Sequence, residues 1–368
     1  MKIGIFGGAF NPPHIGHVEA AKTAMAQHEL ELLIVVPTGT PPHKTLPSAT
    51  PAPDVRLHMT KNAFCDVSSA VVSDIEIHSP NSNYTIDTIA SIKREYPGAE
   101  LFLLVGTDMY NSLHTWKNYK ALLNTVFPVL LSRDIIDISS TEIREMLPKR
   151  GGAQYLSCDN YALIIKHRLY GARPNWDWLR ERAHLMLDSG RIPHVDACER
   201  EAIRLARHWD VSIDDAREAA ILHDITKRLD FTENMCIIAE NGVDVGNLGK
   251  NGEKLLHSIT GALIAKSEFG VSNTVAEAIR WHTTGNAGMS MLDKVIYISD
   301  YIESTRDFVG VESLRQAAYE DIDAAMITGL EMTVSDLLAR GITPNISTFR
   351  ALEDLVSTVS KGVSLETD

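Results

Sequence analysis

Strand-like runs occupy only the front of the chain. Past Gly171-Ala172-Arg173-Pro174-Asn175 they vanish and helical periodicity takes over. In front, apolar runs at Lys2–Phe6, Leu32–Val36, Val71–Ile77, Leu101–Val105 and Val126–Leu131 alternate with helix-like stretches near 17–28, 54–64, 85–96 and 118–124. That alternation predicts an α/β domain on a Rossmann-like, doubly wound parallel sheet covered on both faces, with ligands at the carboxyl ends of the strands. Behind, helices are expected over Trp176–Leu187, Glu199–Trp209, Asp214–Thr226, Leu255–Phe269, Val275–His282 and Leu292–Thr305, giving an all-α domain. At 368 residues the chain exceeds what a single core usually serves. The boundary is placed at 172–175, with domains over 1–171 and 175–368.

Charge and composition remove several classes of function. A net charge of −13 argues against a protein that coats nucleic acid or lies on a membrane, since both need basic faces. It leaves room for small phosphorylated ligands, which need only a few local cations. No apolar stretch approaches the roughly 18 residues of a spanning helix, and the opening apolar run leads straight into Gly7-Gly8 rather than a secretory pattern. The cysteines Cys65, Cys158, Cys198 and Cys236 form no C-x-x-C pair, so a reducing cytoplasm is the expected location. Oligomeric state is left open, a homo-oligomer included.

The stretch Gly7-Gly8-Ala9-Phe10-Asn11-Pro12-Pro13-His14-Ile15-Gly16-His17 follows the first strand and opens a helix. Strand, glycine turn and helix start form a phosphate-binding corner, because backbone N–H groups and the positive helix end meet there. Two imidazoles beside it fit a site that handles charge moving on phosphate; the alternative is two surface histidines on a capped helix. The run from Pro37 through His43 and Lys44 to Pro53 reads as a substrate loop, or as one with no fixed structure.

Further motifs follow in order: Asn83-Tyr84-Thr85-Ile86-Asp87-Thr88, then Val105-Gly106-Thr107-Asp108-Met109 with Trp116, then Ile138-Ser139-Ser140-Thr141-Glu142-Ile143-Arg144. As a set, over about residues 1–171, this resembles the bacterial nicotinate-mononucleotide adenylyltransferases of the nucleotidyltransferase superfamily. The resemblance implies AMP transfer from ATP to nicotinate mononucleotide, giving deamido-NAD and pyrophosphate in NAD biosynthesis. It places Gly7, Gly8, Phe10, His14, His17, Asp108, Ser139, Ser140, Thr141 and Arg144 around ATP, with His14, His17 and Arg144 catalytic. It places Lys44, Thr85 and Trp116 around the mononucleotide. ATP is expected as its Mg²⁺ complex. Other readings stay open: Ser139 with Glu142 as a plain capping box, Trp116 as a core residue, Asp108 as a helix cap. The segment 132–137 is shorter than the family's usual excursion there.

The second half carries His194, His223-Asp224, His257, His282 and Asp300. His223-Asp224 reads as a helical pair among apolar neighbours, and a buried charge there needs a partner or a metal. Imidazole with carboxylate suits Fe, Mn, Zn and similar ions. The order H…HD…H…H…D resembles the HD superfamily of metal-dependent phosphohydrolases. The strings Arg191-Ile192-Pro193-His194, His223-Asp224-Ile225-Thr226-Lys227, Leu255-Leu256-His257-Ser258, Ile279-Arg280-Trp281-His282 and Ile298-Ser299-Asp300 narrow it to its symmetrical diadenosine-tetraphosphate hydrolases. That resemblance implies His194, His223, Asp224 and Asp300 as ligands of iron, or of manganese or another divalent ion. It puts Arg191, Lys227, His257, His282 and Arg306 on the phosphates, with two ADP as products. Arg191, Lys227 and Arg306 as plain surface charges remain the alternative, and Glu303 is expected to pair with Arg306. Taken together, the resemblances imply a bifunctional transferase–hydrolase. A nucleotide-sensing helical domain without turnover, or an HD phosphohydrolase acting on other nucleotides, is the competing view.

Overall fold

The computed structural model of the chain describes residues 1–39, 47–79, 84–131, 136–246 and 252–365. The chain divides into two compact units, Met1–Asn175 and Trp176–Asp368. Among the described residues no helix is long and apolar enough to cross a membrane.

The first unit holds five parallel strands: β1 (Lys2–Gly8), β2 (Leu32–Pro37), β3 (Ala70–Val72), β4 (Glu100–Val105) and β5 (Val126–Leu130). Their order is β3-β2-β1-β4-β5. Its helices are α1 (Ile15–His28), α2 (Pro53–Phe64), α3 (Thr85–Glu95), α4 (Thr107–Ser112), α5 (Tyr119–Leu123), α6 (Ser140–Met146) and α7 (Cys158–Lys166). The central strands β1, β2 and β4 are apolar apart from Lys2 and Glu100 at their starts, because both of their faces are covered. Alternate residues face opposite ways. Ile3, Ile5, Leu101 and Leu103 pack with Ile89, Ile92 and Leu122 of α3 and α5. Phe6, Leu33, Val35 and Leu104 pack with Ala21, Ala24 and Phe64 of α1 and α2. The sheet is therefore doubly wound. The chain reverses direction across it between β1 and β4, where such folds open a ligand crevice at the carboxyl edge.

One expected strand is cut short. Val71–Ile77 reads as seven residues, but β3 ends at Val72. Ser73 N–H still donates to Val35 O at 2.8 Å, and a turn then closes with Ile77 N–H on Asp74 O at 2.9 Å. The turn brings Glu76 against the loop after β2, so closely that a Cβ on Gly39 would lie 2.1 Å from Glu76 O.

The second unit is helical: α8 (Trp176–Leu185), α9 (Ile192–His208), α10 (Ile213–Leu222), α11 (Phe231–Glu240), α12 (Leu256–Phe269), α13 (Asn273–Trp281), α14 (Met291–Ile302), α15 (Val311–Glu320), α16 (Ile322–Ala339) and α17 (Ile346–Leu365). α9 packs on α10 and α14, α12 on α13, and α13 on α14. Ala202 and Ala206 of α9, with Ala216, Ala219 and Ala220 of α10, are all 0% exposed. These small side chains let the two backbones approach closely.

Two helix ends differ most from the sequence reading. α9 starts at Ile192 rather than Glu199, with Pro193 in its first turn. A proline there loses no helical hydrogen bond. α10 stops at Leu222 rather than Thr226, so His223 caps it and Asp224 lies beyond it.

Leu33→Ala is expected to destabilise the first unit by about 2–5 kcal/mol through loss of burial and a residual cavity. Gly39→Ala should cost about 1–3 kcal/mol through backbone collision. Urea denaturation measures both, and a shift under about 0.5 kcal/mol for either variant would contradict this packing.

Candidate functional sites

In a parallel sheet every strand-to-helix connection lies at the carboxyl edge, and there the first candidate site is assembled. β1 ends at Gly7-Gly8, where Gly8 O accepts from Thr38 N–H at 2.9 Å. A Cβ placed on Gly7 or Gly106 would meet nothing within 4 Å, so the edge is open above both. His14 is the N-cap of α1 and 5% exposed. Its backbone N–H donates to His17 Nδ1 at 3.2 Å. Because that nitrogen accepts, a neutral His17 carries its proton on Nε2, a donor suited to an anion. The two imidazoles lie 3.7 Å apart between centroids. Phe10, with φ of 44°, is buried against Phe6, Phe64 and His17. Its ring thus belongs to the core beneath the loop, leaving only its backbone to face a ligand.

Side chains pin the loop between Gly8 and His14. Arg144 Nη1 donates to Asn11 O at 2.6 Å and Nη2 to Thr141 Oγ1 at 3.0 Å. Ser140 Oγ donates to Pro12 O at 2.8 Å. The head of α6 is thereby held beside the head of α1. The capping box is present, with Ser139 Oγ accepting from Glu142 N–H at 3.2 Å and Glu142 accepting from Ser139 N–H at 2.8 Å.

Two pinning residues, Tyr170 and Arg56, escaped the sequence reading. Asn11 accepts from Tyr170 OH at 2.8 Å and donates to Thr50 Oγ1 at 2.8 Å. Arg56, 1% exposed, donates to Ala9 O at 2.8 Å and Gly39 O at 3.1 Å. Burial pushes its pKa down, and a buried guanidinium is tolerated because carbonyls surround it. Arg56 and Tyr170 sit far from the motif in sequence, so no local signal marked them.

Elsewhere in the first unit, Thr85 is the first residue of α3, and Trp116 is half-buried against the core. Lys117 joins the two segments: its Nζ lies 4.0 Å over the Tyr84 ring and 3.4 Å from Asp87 Oδ2. Asp108 is exposed in the first turn of α4. His43 and Lys44 lie outside the described residues, as do Asn83 and residues 132–135 of the shortened segment.

The second unit gathers its polar residues into a buried cage. His194, His223, Asp224, His257 and His282 are each under 9% exposed, with Asp300 beside them. Ligand atoms of His194, His223 and Asp224 lie within 4.8 Å of one another; so do those of His223, His282 and Asp300, and of Asp224, His257 and His282. His194 Nε2 is 3.0 Å from Asp300 Oδ1 and 3.8 Å from Asp224 Oδ2. His257 and His282 Nε2 are 3.3 and 3.6 Å from Asp224 Oδ1.

Each imidazole is aimed by its other nitrogen. Nδ1–H of His223 donates to Ala220 O at 2.7 Å, that of His257 to Lys254 O at 2.8 Å, and that of His282 to Ile279 O at 2.6 Å. These carbonyls only accept, so Nδ1 holds the proton and the Nε2 lone pair points inward. All three carbonyls lie three residues back, near helix ends, where backbone acceptors are left available. His194 instead donates to Glu303 Oε1 at 3.0 Å.

The cage fits a divalent ion. His194 Nε2, His223 Nε2 and Asp224 Oδ1 are buried with no well-directed hydrogen bond. Four inward imidazoles and two carboxylates are a donor set for Fe, Mn or Zn. Burial opposes ionisation of Asp224 and Asp300, yet the surrounding imidazoles outweigh it and hold both carboxyls well below their usual range. Burial pushes His257 down to about 4, so it is neutral near pH 7.

Cations line the cage. Arg191 Nε donates to Asp224 Oδ2 and Arg306 Nη2 to Asp300 Oδ1, both at 2.6 Å. Lys227 Nζ is 3.0 Å from His257 Nε2. None of the three is a plain surface charge. Glu303 does approach Arg306, at 3.5 Å, but it is 0% exposed and its shorter bonds go to His194 and Thr305. Its spacing three residues after Asp300 was the signal available in the sequence.

The chain matches the cytidylyltransferase-like family model over residues 5–146 and the HD domain model over residues 191–305. A relative from Shouchella clausii named "Probable nicotinate-nucleotide adenylyltransferase" is 36% identical over 187 residues, covering 46% of this chain and 97% of the relative. A relative of the same name from Maridesulfovibrio salexigens is 34% identical over 199 residues, covering 50% of this chain and 91% of the relative. A crystal structure described as a "predicted HD superfamily hydrolase involved in NAD metabolism" from Clostridium acetobutylicum is 33% identical. It covers 50% of this chain and 97% of that one, with a TM-score of 0.48. Over its first half the chain belongs to the nicotinate-nucleotide adenylyltransferase family, and an HD domain is fused behind it.

Proposed function

We propose that the chain carries two activities. In the first unit, a phosphate oxygen of nicotinate mononucleotide attacks the α-phosphorus of ATP. The bond to the oxygen bridging the β-phosphate breaks, and deamido-NAD and pyrophosphate form. Family membership supports this, and the closely packed His14–His17 pair at the head of α1 carries it. His14 and His17 stabilise charge at the α-phosphate. Arg144, with Ser139, Ser140 and Thr141, receives the leaving phosphates with a fixed fork of donors. Gly7, Gly8 and the Phe10 backbone admit the chain of phosphates, and Asp108 lies toward the adenosine. Thr85 offers its N–H to the nicotinate carboxylate, Trp116 stacks on the ring, and Lys44 meets the mononucleotide phosphate. ATP arrives as its magnesium complex. The reaction needs positioning and charge stabilisation, with no covalent intermediate.

The second unit hydrolyses diadenosine tetraphosphate. Water adds to one inner phosphorus, the bond to the oxygen between the inner phosphates breaks, and two ADP leave. His194, His223, Asp224 and Asp300 hold an iron or manganese ion. When bound, it supplies Lewis acidity toward water and a phosphoryl oxygen. Arg191, Lys227 and Arg306 bring donors already in place to the phosphates, and His257 and His282 bind them once Nε2 takes up a proton with the incoming negative charge. The convergence of four imidazoles on buried Asp224 and half-buried Asp300 carries this reading.

Protein purified without oxygen and assayed for both reactions tests the pair. His14→Ala should lower adenylyl transfer by about 10²–10³-fold and leave hydrolysis intact. His223→Ala should abolish hydrolysis and bound metal while sparing transfer. Wild-type protein that makes deamido-NAD but leaves diadenosine tetraphosphate whole with Fe²⁺ or Mn²⁺ would overturn the second activity. Loss of both reactions in either folded variant would overturn their independence.

A further inference from the structure

His194 is the odd member of the cage. His223, His257 and His282 are each oriented by a carbonyl three residues back in their own segment. At His194 the position three back is Arg191, whose side chain is engaged with Asp224. Nδ1 of His194 meets instead a carboxylate 109 residues away, Glu303 Oε1 at 3.0 Å. Glu303 caps α14 one turn after Asp300 and is 0% exposed. Its carboxylate is fully determined: Oε2 accepts from Thr305 N–H at 2.6 Å, and Oε1 accepts from Thr305 Oγ1 at 2.6 Å and approaches Arg306 Nε at 3.5 Å. Every neighbour is a donor.

We infer that Glu303 is a positioning residue for the metal cage, fixing the proton of His194 on Nδ1 so that Nε2 is presented to a divalent ion. The inference rests on the cage being a metal site. A carboxylate behind a ligating imidazole fixes its tautomer and raises its basicity, which is worth 10–100-fold in metal affinity. The same carboxylate stands behind both ends of the cage wall, since Arg306 bridges from Glu303 to Asp300 Oδ1. Gln cannot replace it. An amide has one acceptor and one donor end, whereas Thr305 N–H and His194 Nδ1–H both require acceptors. If the amide oxygen stays with Thr305, its NH₂ faces His194 and drives the imidazole proton to Nε2, into the cage. If the oxygen turns to His194, two donors collide at Thr305.

The test is Mn²⁺ titration of the full chain, wild type against Glu303→Gln and His223→Ala, followed by calorimetry. Wild type should bind, His223→Ala should not, and Glu303→Gln should bind about 10–100-fold more weakly, with a metal-free melting temperature close to wild type. Long-range ¹H–¹⁵N spectra of metal-free wild type, with His194 assigned by substitution, should show its proton on Nδ1; this holds even if Glu303→Gln does not fold. Equal Mn²⁺ affinity in folded Glu303→Gln, or a wild-type His194 with no proton on Nδ1, overturns the role of Glu303 alone. Absence of Mn²⁺ binding in wild type overturns the metal reading and this inference with it.

Discussion

The helical unit depends on where four imidazole protons sit. Nδ1–H of each histidine is spent on an acceptor-only partner, so four Nε2 lone pairs converge on two carboxylates in a largely buried region. Burying such groups costs several kcal/mol per ion unless charge and hydrogen bonds compensate. Arg191, Arg306 and Lys227 supply part of that compensation, and the cage is built for a cation to supply the rest. The surrounding fold serves this arrangement. Alanines let α9 and α10 close on each other, and α10 stops at Leu222 so that His223 can reach back to Ala220 O.

The α/β unit solves a different problem. Its site is made of backbone as much as of side chains, so loops must be held without filling the space above them. Arg56 fixes two carbonyls from below, Arg144 and Ser140 fix two from the side, and Tyr170 orients Asn11. The Phe6–Phe10–Phe64 cluster supports the turn from the core. Gly7 and Gly106 leave the edge open.

Much of this was legible in the sequence. Alternating apolar runs marked all five strands and the doubly wound sheet, because a parallel sheet buried on both faces needs uninterrupted apolar segments. The ordered histidines and aspartates marked the cage. Other features were hidden. The edge strand β3 stops where Asp74 starts a turn, although apolar residues continue to Ile77. α9 begins at Ile192, with Pro193 in its first turn, ahead of the expected start at Glu199. The helices α11, α15, α16 and α17 have no counterpart in the sequence reading, though Asp230 and Glu233 form a capping box that signals α11. Arg56 and Tyr170 act through partners distant in sequence, and no periodicity or local spacing encodes such contacts; the bond from Glu303 to His194 is equally distant, although its spacing from Asp300 was visible.

The most direct measurement of the central claim is an anomalous-difference map from crystals of the full chain grown with Mn²⁺. The account requires a peak among His194 Nε2, His223 Nε2, Asp224 and Asp300, about 2.0–2.2 Å from the imidazole nitrogens, with Nδ1 of His194 still on Glu303. An ordered cage with no peak, its carboxylates held only by Arg191 and Arg306, would contradict it.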